Sequence, residues 1–265
     1  MSKTKTGQVN TTAAEIYEEF FIPALFQEWA IKVADEASIQ PGQRVLDVAC
    51  GTGVLTREVA NRIGSSGSVV GLDMNQGMLA VARKKSPDIE WCHDAAEAIP
   101  FSDKAFDRVI SQFGLMFFSE RVSALQEMLR VLKNGGHLTI AVWDSLENAT
   151  GYRAVVDLLQ RLFGEQAAEA LRSPYSLGNT KDLKNLFDRA GISNFEIKTL
   201  PGKANFPSIE SWMFTDVKGW TLADLIDEKQ YQQLLTAAEN ELKQFVQPDG
   251  TVAFDHPAHI IKIKK

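Results

Sequence analysis

Asp47, just before the glycine turn Cys50-Gly51-Thr52-Gly53, and Asp73 and Asp94, at the ends of the next two expected strands, are residues that could together form a binding site. Asp47 lies inside the apolar run Val45-Leu46-Asp47-Val48-Ala49, immediately ahead of the turn. Glycine at 51 and 53 lets backbone approach a ligand where a Cβ would collide, and the free N–H groups of the following helix, Val54 onward, then face that ligand. A carboxylate at Asp47 repels a pyrophosphate and attracts an ammonium group. Asp73 follows the glycines by about twenty residues, where a carboxylate accepts both hydroxyls of a ribose. Met74 and Met78 are placed to pack on a purine, and Asp94-Ala95 to receive its exocyclic amine.

The elements that must carry these residues alternate. Strands are expected at 44–49, 68–73, 89–93, 106–112 and 137–143, with helices at 54–63, 76–85 and 119–132 between them. Asn75 caps the second of these helices and Gly135-Gly136 stops the third. This alternation implies a parallel sheet with right-handed crossovers, and ligands in such sheets lie at the carboxyl ends of the strands. Those ends hold the glycine turn, Asp73-Met74, Asp94-Ala95, Gln112-Phe113 and Trp143-Asp144. A helical lead-in over 13–38, in which Pro23 marks a break or the first turn of a second helix, precedes the first strand and is rich in aromatic residues, Tyr17, Phe20, Phe21, Phe26 and Trp29 among them. After Asp144 come more helices, a sixth strand at 195–200 and a last strand near 259–264. The expected organisation is an N-terminal helical cover, 1–39, and one α/β domain, 40–265, interrupted by a helical insertion at about 207–247.

Composition narrows the class. The 265 residues carry 28 Lys+Arg against 34 Asp+Glu, a net charge of −6, which argues against a nucleic-acid or anionic-membrane footprint. The basic end, Lys262-Ile263-Lys264-Lys265, reads as the solvated tail of an edge strand. Two cysteines make neither a disulfide framework nor a zinc site and suit a reducing cytoplasm; no signal-peptide core or membrane-length apolar run is present.

Two ligand classes compete for the turn, dinucleotides and S-adenosylmethionine. Position 56 is Thr where the dinucleotide fingerprint wants a third glycine, and Asp47 opposes a polyanion. A zwitterionic, net-cationic cofactor fits better. In order, Val45–Gly53, Gly71–Met74, Asp94–Phe101, Phe106–Leu115 and Arg130–Gly136 resemble a class I S-adenosylmethionine-dependent methyltransferase, of the small-molecule branch that includes the ubiquinone/menaquinone-biosynthesis C-methyltransferases. The resemblance covers about residues 40–145 well. It implies a Rossmann-like, seven-stranded, mostly parallel sheet with helices on both faces.

On matching positions the resemblance implies that Asp47, Ala49, Gly51 and Gly53 hold the methionine end of the cofactor and Asp73 its ribose. Met74, Met78, Asp94 and Ala95 surround adenine, and Gln112 with Phe113 flanks the sulfonium. Ala49 departs from the family pattern, which has glycine there. The cover over the cofactor makes Tyr17 and Phe21 candidates for the acceptor site, with Trp143 at a strand end. Methyl transfer from a sulfonium is an in-line displacement whose leaving group is already neutral, so the protein mainly aligns the acceptor and excludes water. No catalytic residue is assigned: His256 is the best placed base among four histidines, though a structural role suits it better, and no histidine grouping indicates a metal. Cys50 reads as a small packing residue, and Leu115-Met116-Phe117-Phe118 as part pocket and part core. Trp212, Met213, Phe214 and Trp220 read mostly as core of an insertion that recognises the acceptor. The alternatives are an NAD-dependent oxidoreductase and a cofactor-binding module without turnover. The expected partner is a small-molecule methyl acceptor rather than nucleic acid.

Overall fold

The computed structural model describes residues 11–219, 222 and 225–265. Trp220 and the first ten residues lie outside them. Among the described residues the strands are β1 (Arg44–Val48), β2 (Ser68–Asp73), β3 (Glu90–His93), β4 (Phe106–Gln112), β5 (Leu132–Trp143), β6 (Phe195–Leu200), β7 (Lys203–Phe206), β8 (Val252–Asp255) and β9 (Ala258–Lys264). Seven form one sheet in the order β3-β2-β1-β4-β5-β9-β6. β1 to β5 pair in parallel, whereas β9 runs antiparallel to both β5 and β6. The central strands are buried on both faces, which is why β1 reads as a nearly unbroken apolar run.

Helices α1 (Thr11–Ile16), α2 (Gln27–Glu36), α3 (Val54–Ile63), α4 (Gln76–Lys85) and α5 (Arg121–Val131) belong to the first half. Asn75 caps α4 as expected, its side chain accepting from the Met78 N–H at 3.1 Å. The second half adds α6 (Thr150–Phe163), α7 (Glu165–Arg172), α8 (Thr180–Arg189), α9 (Ile209–Lys218) and α10 (Glu228–Glu241). The Asp227 side chain and Gln230 form a reciprocal capping box that starts α10.

Four expectations need correction. Pro23 does not break the lead-in: Tyr17–Phe26 winds as a π-helix that joins α1 to α2 with Pro23 inside it. Bonding to the fifth preceding residue widens the turn and relieves the clash that a proline ring makes with the fourth carbonyl back. The fifth strand begins at Leu132 rather than 137, so Gly135-Gly136 lies within it. Its ladder with β4 shifts register between Phe106 and Arg108, and Gly135, at φ +78°, supplies the irregular backbone there.

β7 and β8 were not expected. They pair antiparallel, Lys203 opposite Asp255 and Phe206 opposite Val252, and close the base of the helical segment expected as an insertion. Their partners are so distant in sequence that no hairpin turn announces them. The terminal lysines are not on an edge strand either, since β9 lies between β5 and β6. Lys262 pairs with Glu36 at 3.3 Å, and Lys265 Nζ donates to the carbonyls of Leu129 and Leu132 at 2.5 and 2.7 Å.

Candidate active site

The glycine turn leaves β1 through three consecutive deviations from ordinary backbone. Ala49, Gly51 and Gly53 all have positive φ, at 59°, 57° and 88°. Gly53 is required twice over: its φ is left-handed, and a Cβ on it would lie 2.3 Å from the Trp91 indole, which crosses from β3 against the turn. Trp91 is held there by its indole N–H, which donates to the Ser86 carbonyl at 2.9 Å. Gly53 therefore caps α3 from behind the loop, and Gly51 is the glycine that faces the open side.

Asp47 points across this turn. It is buried; its Oδ2 accepts from the Thr56 hydroxyl at 2.6 Å. Burial, with the neighbouring Asp73 charge, pushes its carboxyl up to about 7 against the opposing Thr56 bond. Asp47 and Gln112 line one small chamber with Tyr17, Ala49 and Gly51. Asp47 Oδ1 and Gln112 Oε1 are both buried acceptors with no hydrogen-bond donor among the described residues. Two orphaned acceptors beside a glycine loop match the ammonium end of S-adenosylmethionine, so the residues present fit that cofactor.

Asp73 ends β2 with both carboxylate oxygens oriented by backbone. Gly51 N–H donates to Oδ2 and Asn75 N–H to Oδ1, each at 2.8 Å. These bonds tie the glycine turn to the start of α4 and leave lone pairs for ligand hydroxyls. Burial raises the Asp73 carboxyl, and the two N–H donors oppose that rise.

A cleft of about 590 Å³ opens beside the chamber, at the carboxyl ends of the parallel strands. Ala49, Gly51, Asp73, Met74, Met78, Asp94, Gln112 and Phe113 line it, and Asn75 does so as well. Ala95 does not line it; its N–H is turned to Asp94 Oδ1 at 3.0 Å, and Ala96 presents the wall instead.

Beyond Phe113 a third cavity, about 70 Å³, is lined mostly by aromatic side chains. Tyr17, Phe21 and Trp143, the three residues expected near the acceptor, all line it, as do Phe117, Tyr152, Tyr175, Asp216 and His256. Tyr17, Phe113 and Phe117 are shared with the large cleft, so the two spaces meet at these rings. Phe113, the residue after β4, has φ +56°, a conformation that costs roughly 1–2 kcal/mol for a residue with a Cβ. That turn lays its ring on Trp143 at 3.5 Å and 11°, and His256 continues the stack on Trp143 at 3.9 Å.

The cover is fastened over the turn by charge. Glu18 Oε1 pairs with Arg57 of α3 and Lys85 of α4, each at 2.9 Å, while Arg57 also donates to the Thr52 carbonyl at 2.6 Å. Nothing in the sequence marks this clasp, because helical periodicity cannot show which buried acid meets two distant cations. Asp216, Tyr152 and Tyr175 were missed for a related reason. They come from α9, α6 and the turn after α7, and only the closing of the insertion over Trp143 brings them together.

His256, the best placed base in the sequence, is fully buried and bonded to the Tyr175 hydroxyl at 2.8 Å. Burial depresses its imidazole to about 3, so it is neutral. Cys50 is buried under the turn, where burial and nearby carboxylates hold its thiol well above the usual range. Trp212 and Met213 are core, and Phe214 meets Phe20 of the cover.

A central parallel sheet with one antiparallel strand, a carboxyl-end cleft and a carboxylate on either side of a glycine turn define a Rossmann-like class I methyltransferase. The fold is shared with phosphoethanolamine N-methyltransferase 2 of Haemonchus contortus, solved with S-adenosyl-L-methionine, at a TM-score of 0.61 and 18% identity, over 96% of this chain and 57% of that one. Sequence carries the relationship further. The demethylmenaquinone methyltransferase of Lysinibacillus sphaericus is 32% identical over 224 residues, covering 77% of this chain and 95% of its own length. That of Staphylococcus aureus strain Newman is 30% identical, over 66% of this chain and 78% of its own. Residues 23–204 match the ubiE/COQ5 methyltransferase family, and the chain belongs to that family. It is a methyltransferase that uses S-adenosylmethionine on a small-molecule acceptor. The oxidoreductase and non-catalytic alternatives have no support.

Proposed function

We propose that the chain transfers a methyl group to a ring carbon of a hydroxylated aromatic acceptor, a reduced quinone of the kind named for its demethylmenaquinone relatives. The observation that carries this reading is the Phe113–Trp143–His256 stack, which makes a flat aromatic wall where the acceptor cavity meets the cofactor cleft. A planar ring lies against such a wall with gain from both apolar burial and ring stacking.

When bound, S-adenosylmethionine supplies a methyl group on a positively charged sulfur. Asp47, Gln112 and the Gly51 backbone hold its amino-acid end, Asp73 its ribose, and Met74, Met78 and Asp94 its base. Gly53 and Ala95 support these positions from behind. Tyr17 and Phe21 cover the junction and, with the Glu18 clasp, exclude water from it. Phe113 and Trp143 align the acceptor ring so that transfer is in line.

The partner is a small molecule rather than a nucleic acid. No helix among the described residues is long and apolar enough to cross a membrane. Two free thiols, Cys50 and Cys92, support a cytoplasmic setting.

The test is methyl transfer from labelled S-adenosylmethionine to chemically reduced demethylmenaquinone, with the product located by mass and by its ring-proton spectrum. Ring methylation is expected. Transfer to oxygen or to an amine in a mixed metabolite extract, with none to the hydroquinone, would overturn the reading.

A further inference from the structure

The acceptor cavity is lined mostly by aromatic side chains, yet it contains two buried polar atoms with nothing to bond. Asp216 Oδ2 and His256 Nδ1 have no hydrogen-bond partner among the described residues. Each residue is fixed through its other polar atom. The Tyr152 hydroxyl donates to Asp216 Oδ1 at 3.2 Å, and Tyr175 holds His256 Nε2 at 2.8 Å. An unsatisfied group in an apolar site is costly, and a ligand that satisfies it recovers that cost on binding.

We infer that Asp216 is the general base of the reaction, its free oxygen taking the hydroxyl proton of the acceptor while His256 Nδ1 bonds a second polar atom on the same ring. This rests on the hydroxylated-ring reading above. Two features favour Asp216 over His256 as base, beyond the free, tyrosine-anchored atom that each presents to the cavity. Burial pushes its carboxyl up to about 8, against the pull of Tyr152 and of the nearby Trp212 indole, while the same burial leaves the imidazole too weakly basic. A base works best with a pKa near the operating pH.

Among the described residues, none of the groups around Asp216 supplies a compensating cation. Tyr152 of α6, Tyr175 after α7 and Tyr17 of the π-helix are held neutral by burial, and His256 is neutral too. On the α10 side of α9, Lys218 pairs with Glu228 at 3.2 Å, and Glu15 of α1 turns to Lys84 at 3.8 Å.

The chemistry balances without a further reactant. Loss of the O–H proton to Asp216 leaves its electron pair on the acceptor oxygen and, by conjugation, on the adjacent ring carbon. That carbon bonds the methyl group, and the pair of the broken carbon–sulfur bond stays on sulfur as a neutral thioether. The hydrogen at the methylated carbon returns to the oxygen as the ring regains aromaticity. The one net proton released is the one on Asp216.

Two measurements test this on the full chain. The first needs no cofactor: calorimetric affinity for 1-naphthol should rise about tenfold as pH passes through the Asp216 ionisation near 8, since a hydrogen bond to a charged acceptor gains that much. Affinity for 1-methoxynaphthalene, which has no proton to give, should stay flat, and so should that of Asp216→Asn for either compound. The second is the pH profile of methyl transfer to the reduced quinone. Asp216→Asn should lower kcat by about a hundredfold to ten-thousandfold, with unchanged S-adenosylhomocysteine binding. Tyr152→Phe removes a bond that favours the ionised carboxyl, so the limb on which activity rises with pH should move to higher pH; a merely structural Tyr152 would leave it in place.

Equal kcat and an unchanged profile in Asp216→Asn, beside an active wild type, would overturn the role of Asp216 and leave the acceptor reading intact. A wild type that methylates no hydroquinone would overturn both.

Discussion

The methyl group of Ala49 occupies the space that a side chain at Gly114 would need: a Cβ on Gly114 would fall 2.5 Å from the Ala49 Cβ. Alanine stands at 49 where the family pattern has glycine, in a left-handed conformation. The added methyl is accommodated by the absence of one on the neighbouring chain after β4, where Gly114 follows the strained Phe113.

Gly114→Ala should therefore destabilise the protein by about 1–3 kcal/mol through overpacking. Ala49→Gly relieves roughly 1–2 kcal/mol of conformational strain but adds unfolded-chain entropy, so alone it should change stability by less than about 1 kcal/mol. Combined, the two should recover part of the loss, because Gly114→Ala still meets the Ser111 hydroxyl at 3.1 Å. Denaturant unfolding of the four forms in a double-mutant cycle measures this coupling.

Asp73→Ala should reduce affinity for S-adenosylhomocysteine by about tenfold to a hundredfold, the worth of hydrogen bonds to a charged acceptor. It also frees the Gly51 and Asn75 N–H groups, so part of the loss should appear as increased amide exchange at 51 and 75. Calorimetry and exchange on the same variant separate contact from support.

Asp47 and Asp216 make the ligand-free protein less stable as pH rises. Both carboxyls remain protonated in the fold up to about 7 and about 8, whereas in the unfolded chain they ionise near 3.8. Between those values the folded state holds more protons, so the contribution of these two groups to stability is fully present below pH of about 4 and is lost progressively as pH rises to about 8. S-adenosylhomocysteine brings an ammonium to Asp47 and should restore part of the loss at the alkaline end. Thermal unfolding with and without ligand, from about pH 5 to about pH 8, checks both signs.

Glu18→Gln should loosen the cover without unfolding the sheet, since it breaks the pairs to Arg57 and Lys85 that fasten the π-helix over the turn. Release of S-adenosylhomocysteine should quicken by about tenfold, equivalent to 1.4 kcal/mol of lost closure. Stopped-flow displacement measures the rate, and an unchanged rate would show that the cover does not gate release.

Much of the sheet could be read from order alone. β1 to β4 lie within a residue or two of their expected limits because buried parallel strands are short apolar runs bounded by turn residues. The position of Asp47, Gly51 and Asp73 beside the chamber and cleft was legible for the same local reason: each lies at or next to a strand end whose position follows from the strand. Gly53 and Ala95 show the limit of that reasoning. They occupy the right turns but face away from the cleft, since one residue of rotation decides which side a backbone presents.

The sequence by itself thus determined the alternating α/β class and the sheet edge at which the candidate cleft opens, because both follow from periodicity and short-range turn geometry, and its resemblance to the methyltransferase family determined the cofactor. Only the tertiary structure decided that Pro23 lies in a continuous helix, that β9 enters the sheet between β5 and β6, and that β7 pairs with β8. It alone brought Tyr152, Tyr175, Asp216 and His256 to one aromatic cavity. Those residues are separated by up to about a hundred positions, and no local preference of the chain records which buried faces will meet.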